Sequence, residues 1–174
     1  MDLRYPIGKL ERKSPLSPAE RQAAIAQIAA APKRLRDAVA GLSREQLDTP
    51  YRPDGWTVRQ VVHHIPDSHL NAYIRFKLAL TENEPTIKPY EEKLWANLPD
   101  TSETPVEVSL TLTESLHHRW DVLLRSMRAE DFARRLHHPE NGPMTLDDVL
   151  CVYSWHGRHH VAHITSLRER MGWM

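Results

Sequence analysis

Tyr153-Ser-Trp-His156-Gly-Arg-His159-His160-Val-Ala-His163-Ile164 lies within a run whose apolar residues recur with a helical period. Leu146, Val149, Leu150, Tyr153, Ile164, Leu167 and Met171 are separated by multiples or near-multiples of 3.6, so they form one stripe of a long amphipathic helix. The stretch also carries two histidine pairs spaced four apart, His156/His160 and His159/His163. Side chains at that spacing share a helical face, with about 6 Å between Cβ atoms, near enough for two imidazoles to grip one transition metal. On the wheel His156 and His160 fall on the apolar stripe, His163 at its edge and His159 farther off. Withdrawing two imidazoles from water is costly unless something occupies their nitrogens. The alternative is a pair of packed core histidines, each bonded locally.

Upstream, three more helical stripes can be read. Ser17-Pro18-Ala19-Glu20 combines a capping serine, proline at the first helical position and glutamate two residues on. Ala24, Ile25, Ile28, Leu35 and Val39 continue the period to about Gly41, with a kink expected at Pro32. After a loop over 43–55, Thr57 and Gln60 form a second capping box behind Trp56. Val58, Val61, Val62, Ile65, Ala72, Tyr73, Phe76 and Leu80 make the next stripe, which also carries His69. Thr104-Pro105-Val106-Glu107 reads as a third box, opening a helix through Leu116, Trp120 and Leu124. Thr145-Leu146-Asp147-Asp148 caps the last helix, and Gly172 suits its end. Residues 1–16 read as an extended arm. Residues 128–144 read as a connection with a helical turn near Ala129–Ala133. The proline-rich segment 82–104 is long enough for a crossover, with a short helix at Tyr90–Trp95. The expected architecture is all-α, a four-helix bundle forming one domain over 1–174. The first two long helices should be antiparallel neighbours, and the third should run parallel to the second.

Composition narrows the function. Lysine plus arginine and aspartate plus glutamate each number 23, with no basic block, which argues against nucleic acid or an anionic membrane as partner. No run approaches the ~20 apolar residues of a membrane span. The N-terminus lacks an apolar signal core, so a cytoplasmic protein is expected. The one cysteine, Cys151, lies off the ligand stripe and reads as an inert packed thiol.

A metal held by two histidines needs at least a third ligand, because catalytic zinc sites commonly use three protein ligands and leave one position open. The candidates are His63 and His64, which flank the apolar stripe of the second long helix on opposite sides. Periodicity alone does not choose between them.

Trp56-Thr-Val-Arg-Gln-Val-Val-His63-His64 with Asp67-Ser-His69, followed downstream by Trp155-His156-Gly-Arg-His159-His160-Val-Ala-His163-Ile164, resembles the YfiT branch of the DinB superfamily. Tyr5-Pro-Ile-Gly8, Thr49-Pro-Tyr-Arg52, Tyr73–Leu78, Lys88–Trp95 and Met171-Gly-Trp173 extend the resemblance over nearly the whole chain, with a departure at Pro66. The resemblance implies a four-helix bundle, commonly dimeric, described as a metal-dependent hydrolase. It implies one divalent metal, zinc before nickel, bound by a histidine eight residues after a tryptophan and by an H-x-x-x-H pair on the last long helix. Carried onto this chain, those ligands are His64, His156 and His160. Some relatives are instead thiol S-transferases that use a low-molecular-weight thiol such as bacillithiol.

The expectation is therefore an enzyme with a mononuclear three-histidine site, an open position for water or thiolate, and a small-molecule substrate. Thiol S-transfer at the same site is the alternative, and a non-enzymatic metal or small-molecule binding module is the second. Asp67, His159 and His163 are candidates for supporting the ligands. A di-metal carboxylate site would need two E-x-x-H motifs, and only Glu114-Ser-Leu-His117 fits. A Ser-His-Asp hydrolase lacks both its G-x-S-x-G motif and its strand framework.

Overall fold

The structure is a computed structural model describing residues 2–173. Its long helices are α1 (Pro18–Val39), α3 (Val58–Thr81), α6 (Val106–Ser126) and α7 (Leu146–Met171). Between them lie the short helices α2 (Arg44–Leu47), α4 (Glu92–Trp95) and α5 (Pro99–Glu103), a 3₁₀ turn at Asp131–Ala133 and a hairpin of β1 (Arg135–His138) and β2 (Gly142–Thr145). The chain is thus an all-α four-helix bundle with one small sheet.

The capping chemistry explains most helix starts. Ser17, Thr57 and Thr145 each accept from the backbone N–H three residues on, and Glu20, Gln60 and Asp148 reach back to the cap. Ser43 and Gln46 do the same for α2, inside the segment expected to be loop. The box expected at Thr104 does not form. Thr104 is spent closing α5, its N–H donating to Asp100, and α6 starts from Pro105 without a side-chain cap. At the far end Gly172 adopts φ 67° and closes α7. Both Pro32 and Pro66 lie within continuous helix.

Packing around the bundle runs α1–α6–α3–α7 and back to α1. The first two long helices, α1 and α3, are therefore diagonal and not the neighbours expected from their short connection. Ion pairs and contacts give the directions. Arg21 meets Asp147 and Arg168 meets the Ala38 carbonyl, so α1 and α7 are parallel. His63 meets Ser109 and His69 meets His117, so α3 and α6 are parallel, as the long crossover allows. The diagonal arises because α6, returning from that crossover, enters beside both α1 and α3.

The hairpin went unread in the sequence. Leu136 and Met144 pair and point inward, while Pro139, Glu140 and Asn141 make the turn and Gly142, at φ 75°, opens β2. His137 exchanges backbone bonds with Pro85 and Ile87, so the hairpin is stitched to the long connection.

The core has two apolar clusters. One is built from Ile28, Phe76, Trp120, Leu124, Leu150 and Tyr153, the other from Leu35, Val58, Val61, Ile65, Leu110 and Ile164. Between these clusters lie Pro32 on α1, His69 on α3, and His156 and His160 on α7, with His64 and His117 beside them. A polar layer therefore crosses the bundle where apolar packing is interrupted.

Candidate metal centre

α3 and α7 run antiparallel, so the second turn of α3 faces the middle of α7. His64 there meets His156, with 3.2 Å between their Nε2 atoms, and His160 lies one turn on. One ring nitrogen from each of His64, His156 and His160 lies within 4.8 Å of the others, and this is the group of potential ligands found among the described residues. Two ligands of a tetrahedral zinc at ~2.0–2.1 Å are about 3.3 Å apart, close to the spacing of the His64 and His156 nitrogens. Imidazole donors suit zinc, nickel and copper. The donor set therefore fits one transition metal.

Burial sets the protonation of these rings. It lowers His64 to about 4 and holds His156 and His160 well below the ordinary histidine value, with the neighbouring imidazoles acting in the same direction on the latter two. All three are neutral at pH 7, so each has a lone pair to offer.

The site opens into a cavity of about 760 Å³. Trp56 and Trp155 form part of its wall, and Arg4, Arg52, Lys93, Asp54 and Glu92 supply its charges. Trp56 also packs on His64, with ring centres 4.7 Å apart, which accounts for a tryptophan eight residues ahead of that histidine. Glu92, Lys93 and Asn97 belong to the long connection, which thus forms part of the cavity wall.

His63 points elsewhere, its Nδ1 2.7 Å from the Ser109 hydroxyl. Asp67 makes no bond to the three histidines. Burial, with Asp100 nearby, raises its carboxyl to about 6. Glu114 pairs with Arg36 on the outside of the bundle while His117 points inward, so their E-x-x-H spacing does not assemble a carboxylate site. His159 and His163 are buried, contrary to the wheel. The N-terminal arm and the loop after α2 cover them: Tyr5 lies over His159, the Arg4 carbonyl meets His163 Nε2 at 3.2 Å, and Tyr51 stacks on His163 at 4.0 Å. Helical periodicity on α7 has no means of sensing an arm that returns over its polar side.

The residues that sequence reasoning passed over are His69 and His117. His69 is fully buried and its Nε2 is 3.0 Å from His156 Nδ1, while His117 is 2.7 Å from the other His69 nitrogen. The available signal was a histidine in the middle of each apolar stripe.

The model of the DinB superfamily matches residues 27–164. The chain belongs to this superfamily. Its DinB relatives include proteins of Bacillus cereus and Bacillus thuringiensis, each named "putative metal-dependent hydrolase", 56% identical over 172 residues and matched over 99% of both chains. YfiT from Bacillus subtilis, described as "a probable metal-dependent hydrolase with an unusual four-helix bundle topology", matches this DinB chain over 100% of both, with TM-score 0.97 and 46% identity. The resemblance read from Trp56–His64 and Trp155–Ile164 is thereby borne out. Among the described residues no helix is long and apolar enough to cross a membrane.

Proposed function

We propose that this chain is a metal-dependent hydrolase acting on a small molecule, with one divalent metal, zinc before nickel, held by His64, His156 and His160. The observation that carries this reading is the convergence of three neutral imidazoles from two helices on the wall of one cavity. The names of the relatives support the activity class. When bound, such a metal supplies Lewis acidity and lowers the pKa of a coordinated water or thiol toward neutrality. The chain's own contribution is to keep the ligand rings uncharged, to shield them with Trp56 and Trp155, and to place Arg4, Arg52 and Lys93 where a substrate gaining negative charge is stabilised.

A cavity of about 760 Å³ has room for two reactants, and this favours thiol S-transfer as the second reading. Leu70 and Ile74, exposed one turn apart on α3, suit the homodimer implied by the resemblance, which light scattering tests.

The central test is the metal content of purified wild-type, His64→Ala and His63→Ala protein, followed by turnover of small esters and amides with metal removed and restored. His64→Ala should lose stoichiometric metal and His63→Ala should keep it. The reverse result would move the site. Turnover only in the presence of an added thiol would select S-transfer.

A further inference from the structure

We infer that His117 and His69 are positioning residues that fix the tautomer and ring orientation of His156, so that its Nε2 carries the lone pair facing the metal centre. The inference rests on the proposed function only in naming His156 a ligand.

The argument begins at Pro32. In an α-helix the carbonyl of residue 28 accepts from the N–H of residue 32, and proline has none. The Ile28 carbonyl is thus left without its helical donor in the buried middle of α1. His117 Nδ1 from α6 lies 2.7 Å from it. His117 Nε2 lies 2.7 Å from His69 Nδ1 on α3, and His69 Nε2 lies 3.0 Å from His156 Nδ1 on α7. One row of hydrogen bonds thus visits all four long helices.

Its polarity follows from its first member. A carbonyl oxygen only accepts, so His117 Nδ1 must carry the hydrogen. A neutral imidazole has one N–H, so His117 Nε2 accepts and His69 Nδ1 donates to it. By the same rule His69 Nε2 accepts from His156 Nδ1. That leaves the hydrogen-free nitrogen of His156 as Nε2, the atom 3.2 Å from His64 Nε2. Reversing the row would set a lone pair against the Ile28 carbonyl oxygen and leave buried groups unpaired.

The row also ends where a proton cannot leave, because its far terminus is a backbone carbonyl enclosed by the bundle. It orders the ligand without serving as a proton exit. The packing holds it in place. Trp120 and Tyr153 meet the His69 ring edge-to-face, and Gly157 lets α7 pass close, since a Cβ there would come 3.3 Å from Ala31 Cβ and 3.5 Å from His69 Cε1. His160 has no comparable support, its Nδ1 being buried without a partner. Of the pair on α7, His156 is therefore the one whose orientation the fold sets in advance.

Long-range ¹⁵N–¹H correlation spectra of metal-free wild-type protein test this directly. They should show His117, His69 and His156 all in the Nδ1–H form. An Nε2–H form at His69 or His156 overturns the inference, whether or not the protein binds metal. Failure of the wild type to bind zinc with these tautomers intact would instead overturn the proposed function. Titration of zinc against a chromophoric chelator extends the test. His69→Leu, which removes the acceptor from His156, should weaken affinity by roughly 10–100-fold. His69→Gln, whose side-chain oxygen can accept the same hydrogen, should recover much of that loss. A folded His69→Leu protein with wild-type affinity and an unchanged cobalt(II) absorption spectrum would also overturn it.

Discussion

α7 carries two histidine pairs of identical spacing, and the bundle gives them different surroundings. His156 and His160 face α3, where His64 meets them and His69 backs His156. His159 and His163 face the N-terminal arm and the loop after α2, where Tyr5, the Arg4 carbonyl and Tyr51 cover them. Burial depresses the proton affinity of both pairs, so neutrality alone does not make a ligand pair. What separates them is the partner across the gap. All four border the cavity, but a third imidazole, His64, stands across from one pair, whereas a tyrosine face and a carbonyl stand across from the other.

The largest test of this difference is metal affinity. His156→Ala or His160→Ala should cost at least the ~100-fold that marks the upper end for supporting residues. His159→Ala and His163→Ala should bind zinc nearly as wild type. Equal losses for both pairs, measured by chelator competition, would erase the distinction.

Acid should destabilise the metal-free protein through histidines of both regions. His64, His117 and His159 are lowered to about 4 in the fold, against an ordinary value near 6.5, mainly by burial. The unfolded chain therefore binds protons that the native chain refuses. The contribution to stability is fully present above about pH 6.5 and is lost as pH falls toward 4, at up to ~1.4 kcal/mol per pH unit for each histidine. Urea denaturation from pH 7.5 to 4.5 measures this. A flat profile would show that these rings already gain protons in the native state. Zinc at saturating concentration should add stability, and His156→Ala should remove that addition while His163→Ala keeps it.

His163→Ala should lower stability by about 1–2 kcal/mol, through loss of the Tyr51 stack and the bond to the Arg4 carbonyl. Unchanged chemical denaturation would mean that the arm adds nothing to the fold at this point. Cys151→Ser should have the smallest effect, within ~0.5 kcal/mol and with metal content unchanged. Its thiol is half-buried, 3.7 Å from the Glu11 carbonyl, and is no part of the cavity wall. Loss of turnover in that variant, with metal retained, would bring the arm-facing side of α7 into the chemistry.

Much of the bundle was legible because helix formation is locally encoded. Ser17, Thr57 and Thr145 announce their helices within four residues, and the stripes of Val58–Phe76 and Leu146–Leu167 announce the buried faces. The hairpin was partly legible in Asn141-Gly142, but its strands are short and bear histidines and a proline, so no alternation stood out. Thr104 shows the limit of local reading, because the same residue could start α6 or finish α5 and the neighbouring short helix claimed it.

By itself the sequence determined that the chain makes four long helices and that His156 and His160 share one apolar face, because both follow from a 3.6-residue period and from capping within a single turn. It left His63 and His64 balanced on either side of a stripe, and only the antiparallel approach of α3 to α7 turned His64 toward the pair and His63 toward Ser109. Tertiary structure alone joined Pro32, His117 and His69 to His156. Those residues lie far apart in the chain, and a hydrogen-bond row across four helices exists only once their order around the bundle is set.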